Sequence, residues 1–234
     1  MLRLNTLGGL TLLVDGTAVT GVLTQRRQLA LLALLAVGRE KGMSRDKILS
    51  YLWPEKDAEA ARHTLNQQVY AQRQTANEEL FIGRKTLRLN PALFETDLWV
   101  FEDALREGHW AEAVEQYRGA FLDGFFLREA GEFEEWVDDQ RLRLARAYAE
   151  ALERLARAAA GAGDLEAELR WRRRAADADP LDGTAALALA RLLIQRGDRP
   201  AALRGLRSYE ERVRKALEVD PAPEVMRLMA ELGS

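Results

Sequence analysis

Residues 44–89 read SRDKILSYLWPEKDAEAARHTLNQQVYAQRQTANEELFIGRKTLRL, and their punctuation decides the architecture. Ser44 is placed to cap a helix on which Ile48, Leu49 and Leu52 share one face. Trp53-Pro54 ends that helix, because proline pushes the residue before it out of the helical region. Asp57 then caps a further helix running to about Thr75, on which Ala61, Leu65 and Val69 form a narrow apolar stripe. Phe81-Ile82 and Thr86-Leu87-Arg88-Leu89 read as two short strands around a basic tip, Arg84-Lys85, and Asn90-Pro91 stops them.

Upstream, Leu2 and Leu4, then Leu10, Leu12 and Val14, alternate at period two, and Asp15-Gly16 is a hairpin signal before Ala18-Val19. Thr24 is the expected cap of a first helix through Val37, closing near Gly38 and Gly42. Strands, three helices and a terminal hairpin within the first 93 residues have the order of an OmpR-type winged helix-turn-helix. From Thr96 onward everything reads as helix, and a repeat is visible. Gly163-Asp164-Leu165-Glu166-Ala167 recurs 34 residues later as Gly197-Asp198-Arg199-Pro200-Ala201. Gly108-His109-Trp110-Ala111-Glu112-Ala113 is a weaker copy, separated from the next by inserted helical sequence, about 131–146. A 34-residue period of helix pairs is the tetratricopeptide signature; each pair buries one face only by stacking on its neighbour. The expected fold is therefore mostly α: a winged helix-turn-helix (α+β) over residues 1–93, then an all-α, tetratricopeptide-like domain over 94–234.

Composition narrows the chemistry. With 234 residues, 47% hydrophobic and 30% charged, the chain can build a real core. The absence of cysteine excludes disulfides, thiolate metal sites and cysteine nucleophiles, and His63 and His109 are too few and too isolated for a zinc site. The longest apolar run, Leu29 to Val37, is nine residues, against the roughly 20 that span a bilayer. Without a signal-peptide pattern at the N-terminus, a cytoplasmic protein is expected, with no membrane partner, metal or cofactor. No phosphate-binding loop or nucleophile elbow is present, so no enzyme activity is expected. Net charge is −3, but residues 1–98 carry +3 and the remainder −6, which permits a polyanion at the N-terminal end.

The chemistry-bearing element is the helix from Asp57 to Thr75. Opposite its apolar stripe stand Arg62, His63, Asn66, Gln67, Tyr70 and Arg73, long polar side chains carrying donors and acceptors. Such a set can read base edges in a major groove: arginine pairs with guanine, and asparagine or glutamine with adenine. Arg84 and Lys85 at the hairpin tip suit phosphate or minor-groove contact, and Arg26, Arg27, Ser44 and Arg45 near two helix starts could add phosphate contacts. The plain alternative is a solvated helix face, and only its coincidence with the basic tip on the following hairpin favours nucleic acid. Elsewhere, Trp99, Trp110, Trp136 and Trp171 read as core or repeat-interface packing. The acids from Glu129 to Asp139 read as the wet side of a helix, and the Arg170–Arg174 run as a solvated face or an acidic-ligand site.

Taken together, the chain resembles the SARP/AfsR-type bacterial transcriptional regulators, which join an OmpR-like winged helix to a bacterial transcriptional activator domain of tetratricopeptide units. The matching stretches are Gly8-Gly9-Leu10, Gln25-Arg26-Arg27-Gln28-Leu29, Leu52-Trp53-Pro54, Ala61-Arg62-His63-Thr64-Leu65-Asn66-Gln67, Leu87-Arg88-Leu89-Asn90-Pro91 and Glu134-Glu135-Trp136-Val137. Gln72-Arg73 stands where the family carries Leu-Arg, and burying that amide without partners would cost roughly 1–3 kcal/mol. The resemblance implies double-stranded DNA as partner, two copies brought together on adjacent sites, and recruitment of RNA polymerase. A rival of another class is an adaptor that does not bind DNA and holds a protein or peptide on its repeats.

Overall fold

The computed structural model describes residues 1–19, 21, 24–76 and 79–233, with 72–76 described by backbone alone. Two compact units emerge, Met1–Arg146 and Ala147–Ser234. The first begins with β1 (Leu2–Asn5), β2 (Thr11–Val14) and β3 (Thr17–Ala18), joined in sheet order β3-β2-β1-β7 to β7 (Phe94–Thr96). β1 runs antiparallel to β2, with Leu4 opposite Leu12, and parallel to β7, with Leu2 opposite Phe94. Asp15 and Gly16 both adopt positive φ (48° and 82°), the backbone that an Asp-Gly hairpin turn requires.

Helix α1 (Arg26–Gly38) buries Ala30 through Ala36 without interruption, the pattern of a helix hydrophobic all round and set in the core. Its cap differs from expectation. The helix starts after Gln25 with no side-chain cap, while the Thr24 hydroxyl donates to the Gly21 carbonyl at 2.8 Å, shaping the preceding turn. The chain leaves α1 through Gly42, where a Cβ would fall 2.6 Å from the Leu87 carbonyl oxygen, so that only glycine fits. β4 (Met43–Ser44) then pairs with β6 (Thr86–Leu89), which pairs with β5 (Phe81–Ile82), giving sheet order β4-β6-β5. Between them lie α2 (Arg45–Leu52) and α3 (Ala58–Ala76). The Ser44 hydroxyl accepts from the Lys47 amide at 3.3 Å, and Asp57 accepts from Glu59 and Ala60 amides at 3.0 and 2.9 Å. Both caps stand where the sequence puts them.

Helix α4 (Asp97–Glu107) is tied back to β1 by one buried carboxylate. Asp97 accepts from the Thr6 amide with both oxygens (2.8 and 2.9 Å), from the Thr6 hydroxyl (2.9 Å), and from the Leu7 and Leu98 amides (2.9 and 2.8 Å). α5 (Trp110–Gln116) is short, and α6 (Gly131–Gly161) is long. Trp99 donates its indole N–H to the Ala36 carbonyl at 2.7 Å, and Trp136 stacks edge-on against Phe121, 5.8 Å between ring centres. Both tryptophans pack, as expected.

In the second unit α7 (Leu165–Ala178), α8 (Gly183–Gln195), α9 (Arg199–Leu217) and α10 (Pro223–Gly233) close over Leu169, Leu187, Leu193, Ala202, Leu206 and Val225. The repeated Gly-Asp has a physical role. Gly163 and Gly197 take positive φ at the turn (72° and 81°), and Asp164 and Asp198 cap the next helix by accepting from Ala167 and Ala201 amides, each at 3.0 Å. In the weaker copy Gly108 keeps its positive φ (80°), but His109 gives no side-chain cap and the helix lasts seven residues.

Candidate nucleic-acid interface

On α3 the apolar stripe faces inward: Ala61 and Leu65 are buried and Val69 is half-buried. The opposite side is open. Arg62, His63, Asn66, Gln67 and Tyr70 are all exposed, Tyr70 by 64%, whereas the side chains of Gln72 and Arg73 lie outside the described residues. Several of these groups already have a partner within the protein. Gln67 Nε2 lies 2.8 Å from His63 Nε2, one turn away, and Arg62 reaches Asp46 on α2 at 3.2 Å.

Between α3, the start of α2 and the β5–β6 tip lies an open cleft of about 460 Å³. It brings together Ser44, Arg45, Arg62, Asn66, Arg84 and Lys85, half of the residues expected to touch a ligand, along with Asp46 and Thr86. Arg45 sits at its centre. The guanidinium donates from Nε to the Arg84 carbonyl (2.7 Å) and from Nη1 to Asn66 Oδ1 (2.9 Å), and the Arg45 amide donates to the Lys85 carbonyl (3.3 Å). Partial burial pulls the Arg45 guanidinium below the usual arginine value, though arginine stays charged throughout the working pH range. Four cations against the single Asp46 make the cleft electropositive.

Arg26 and Arg27 are not among its lining residues. Arg26 donates to the Phe126 carbonyl at 2.8 Å with its guanidinium 4.7 Å from the Phe126 ring centre, and Arg27 pairs with Glu55 at 2.9 Å. These contacts fix the start of α1. Sequence reading missed the bridging role of Arg45, which joins residues 21 and 39 positions away, and missed Asp46, whose first-turn position on α2 was the available signal. Of the other charged clusters, the acids Glu129, Glu132, Glu135, Asp138 and Asp139 are exposed, and Glu134 is engaged by the backbone, accepting from the Leu127 amide at 2.7 Å; Arg170 and Arg173 are exposed, while Arg172 pairs with Glu153 and Arg174 donates to the Tyr148 hydroxyl at 2.6 Å. Among the described residues no group of three acidic, histidine or cysteine side chains could hold a metal ion, and no helix is long and apolar enough to cross a membrane.

Three comparisons with known proteins bear on this geometry. The family described as Bacterial transcriptional activator domain matches residues 92–232. Among solved structures, Mycobacterium tuberculosis EmbR in complex with a low affinity phosphopeptide aligns with a TM-score of 0.66 at 20% identity, over 99% of this chain. The chain spans 64% of the length of that structure, and at this identity the likeness is one of fold. No curated protein matches the chain.

Proposed function

Given that the chain belongs to the bacterial transcriptional activator domain family and is a transcriptional regulator of the SARP type, we infer that it binds double-stranded DNA sequence-specifically and activates promoters. Residues 1–93 act as an OmpR-like winged helix. α3 enters the major groove, with Arg62, His63, Asn66, Gln67, Tyr70 and Arg73 toward the bases, while the β5–β6 tip lays Arg84 and Lys85 on the flanking phosphates. Residues 94–234 act as a tetratricopeptide-like association domain, bringing a second copy to an adjacent site and contacting RNA polymerase. The reading needs no cofactor, metal or catalysis. Its main support is the juxtaposition in one cleft of an exposed amide-and-arginine helix face and a basic hairpin tip. Base-reading and backbone-holding groups lie side by side there, as groove recognition demands.

The test is selection of bound sites from random duplexes at moderate salt. The wild-type protein enriches one motif. Arg62→Ala with Gln67→Ala keeps the unfolding midpoint, because both side chains are exposed, and flattens that motif, each base-edge interaction removed being worth about 1–3 kcal/mol of discrimination. A wild type that enriches nothing, or a variant that retains the full preference, overturns the reading. A second reading, the adaptor holding a peptide or protein on its helical repeats, draws on the solved neighbour's complex with a phosphopeptide. Weak, sequence-blind DNA retention with saturable peptide binding is its signature.

A further inference from the structure

Asn66 is exposed on α3, yet its amide is not free to turn. Arginine carries only donors, so the Asn66 atom 2.9 Å from Arg45 Nη1 must be the carbonyl oxygen. The guanidinium is in turn anchored to the hairpin through the Arg84 carbonyl at 2.7 Å, and the backbone beside it is fixed by the pairing of Ser44 with Thr86 and by the Arg45 amide on the Lys85 carbonyl. A planar fork gripped at one end holds its second partner in one geometry. The Asn66 carbonyl therefore faces the cleft, and its Nδ2 is left to face a ligand.

Resting on the DNA-binding reading above, we propose that Arg45 is a positioning residue that sets which base Asn66 selects: it retains the Asn66 carbonyl and presents the Nδ2 hydrogens, so that Asn66 prefers guanine to adenine. Paired recognition of adenine needs both ends of the amide, the oxygen accepting from N6 and the nitrogen donating to N7. With the oxygen retained, Asn66 offers donors alone. Guanine presents two adjacent acceptors, N7 and O6, whereas adenine sets its N6 donor beside N7.

The test compares motifs selected by the wild type, Asn66→Ala and Arg45→Met, the last keeping an apolar stem while losing every side-chain donor. The position that Asn66→Ala flattens is the one Asn66 reads. It carries guanine in the wild type, and Arg45→Met shifts it toward adenine by about tenfold in the guanine-to-adenine ratio, leaving other positions unchanged. A residue that only braced the hairpin would weaken all positions together and move none. A second measurement uses the wild-type protein alone: replacing that guanine by 7-deazaguanine, which lacks the N7 acceptor, weakens binding by about tenfold. Adenine at that position in the wild type, or a guanine that Arg45→Met leaves untouched, overturns the assignment. So does indifference to 7-deazaguanine. A wild type with a clear motif that Asn66→Ala does not change refutes this inference and spares the DNA-binding reading; a wild type with no motif refutes both.

Discussion

Asp97→Asn tests how the helical region is joined to the N-terminal sheet. The carboxylate is 4% exposed and meets only donors: the Thr6 amide and hydroxyl, the Leu7 amide and the Leu98 amide. Thr6 is itself fully buried, so water cannot replace a missing partner there. Asparagine supplies one oxygen instead of two, and its amide nitrogen then points its hydrogens at one of those N–H groups. One charge-assisted bond, worth about 1.5–3 kcal/mol, disappears, and one buried donor is left unmatched at a further ~1–3 kcal/mol. The expected loss is about 3 kcal/mol; Asp97→Ala, which strands the Thr6 and Leu7 amides together, should lose about 4 kcal/mol. Tryptophan fluorescence during urea unfolding reads this well, because Trp53, Trp99, Trp110 and Trp136 lie in Met1–Arg146 and Trp171 alone lies in Ala147–Ser234. Far-UV circular dichroism, which sums the helices of both units, serves as the control: a transition that does not coincide with the fluorescence one reveals unfolding in more than one step. A midpoint shift in Asp97→Asn corresponding to less than about 1 kcal/mol would mean that the buried donors find other partners, and the reasoning would fail.

Arg84→Ala with Lys85→Ala should weaken binding to all duplexes alike and lower the slope of log affinity against log salt by about 0.9 for each phosphate no longer neutralised; fluorescence anisotropy over a salt series measures it. The Arg39 hydrogen bond, opposed only in part by burial, lowers the Asp103 carboxyl below the ordinary aspartate value. A carboxylate lowered in the folded state stabilises it above the unfolded pKa of about 3.9 and loses that contribution as pH falls through the folded value. Asp103→Asn should therefore reduce stability at neutral pH and flatten the acid side of the profile below about pH 4, as read from thermal midpoints between pH 7 and 2.5.

What the sequence made legible was local. The Asp-Gly turn at 15–16, the Ser44 and Asp57 caps, the Trp53-Pro54 stop and the Gly-Asp repeat all act within about four residues of themselves, so their meaning is written where they stand. What was missed is long-range. Strand β7 has three residues and forms only by pairing with β1, some ninety positions earlier, and nothing in Phe94-Glu95-Thr96 alone announces it. Asp97 reads as an ordinary first-turn acid until Thr6 and Leu7 arrive, and Thr24 reads as a cap until the Gly21 carbonyl claims its hydroxyl. The six polar residues of the α3 face followed from periodicity, and the five whose side chains are described are exposed. Which arginines would serve the fold instead did not follow, because a guanidinium's partner is set by tertiary approach.

Exposure sorts the arginines into those held by the fold and those available to a ligand. Arg27 with Glu55 and Arg39 with Asp103 are at most about one-third exposed on either side, so removing one partner strands a charge in a poorly solvated place. Arg62 and Asp46 are 62% and 81% exposed, and an ion pair in that setting is worth about 0–1 kcal/mol. Exchanging Asp46 for a guanine edge or a phosphate therefore costs Arg62 little, while Arg27 and Arg39 would give up the ion pairs that hold α1 in place. Arg45 lies between these extremes, half-buried and doubly bonded, which suits a group that orients its neighbours and itself stays put. On this reasoning the modest charge of +3 over residues 1–98 is no obstacle to a polyanion partner, because what matters is where cations are gathered. The cleft beside α3 gathers Arg45, Arg62, Arg84 and Lys85, with one opposing carboxylate that is easily displaced.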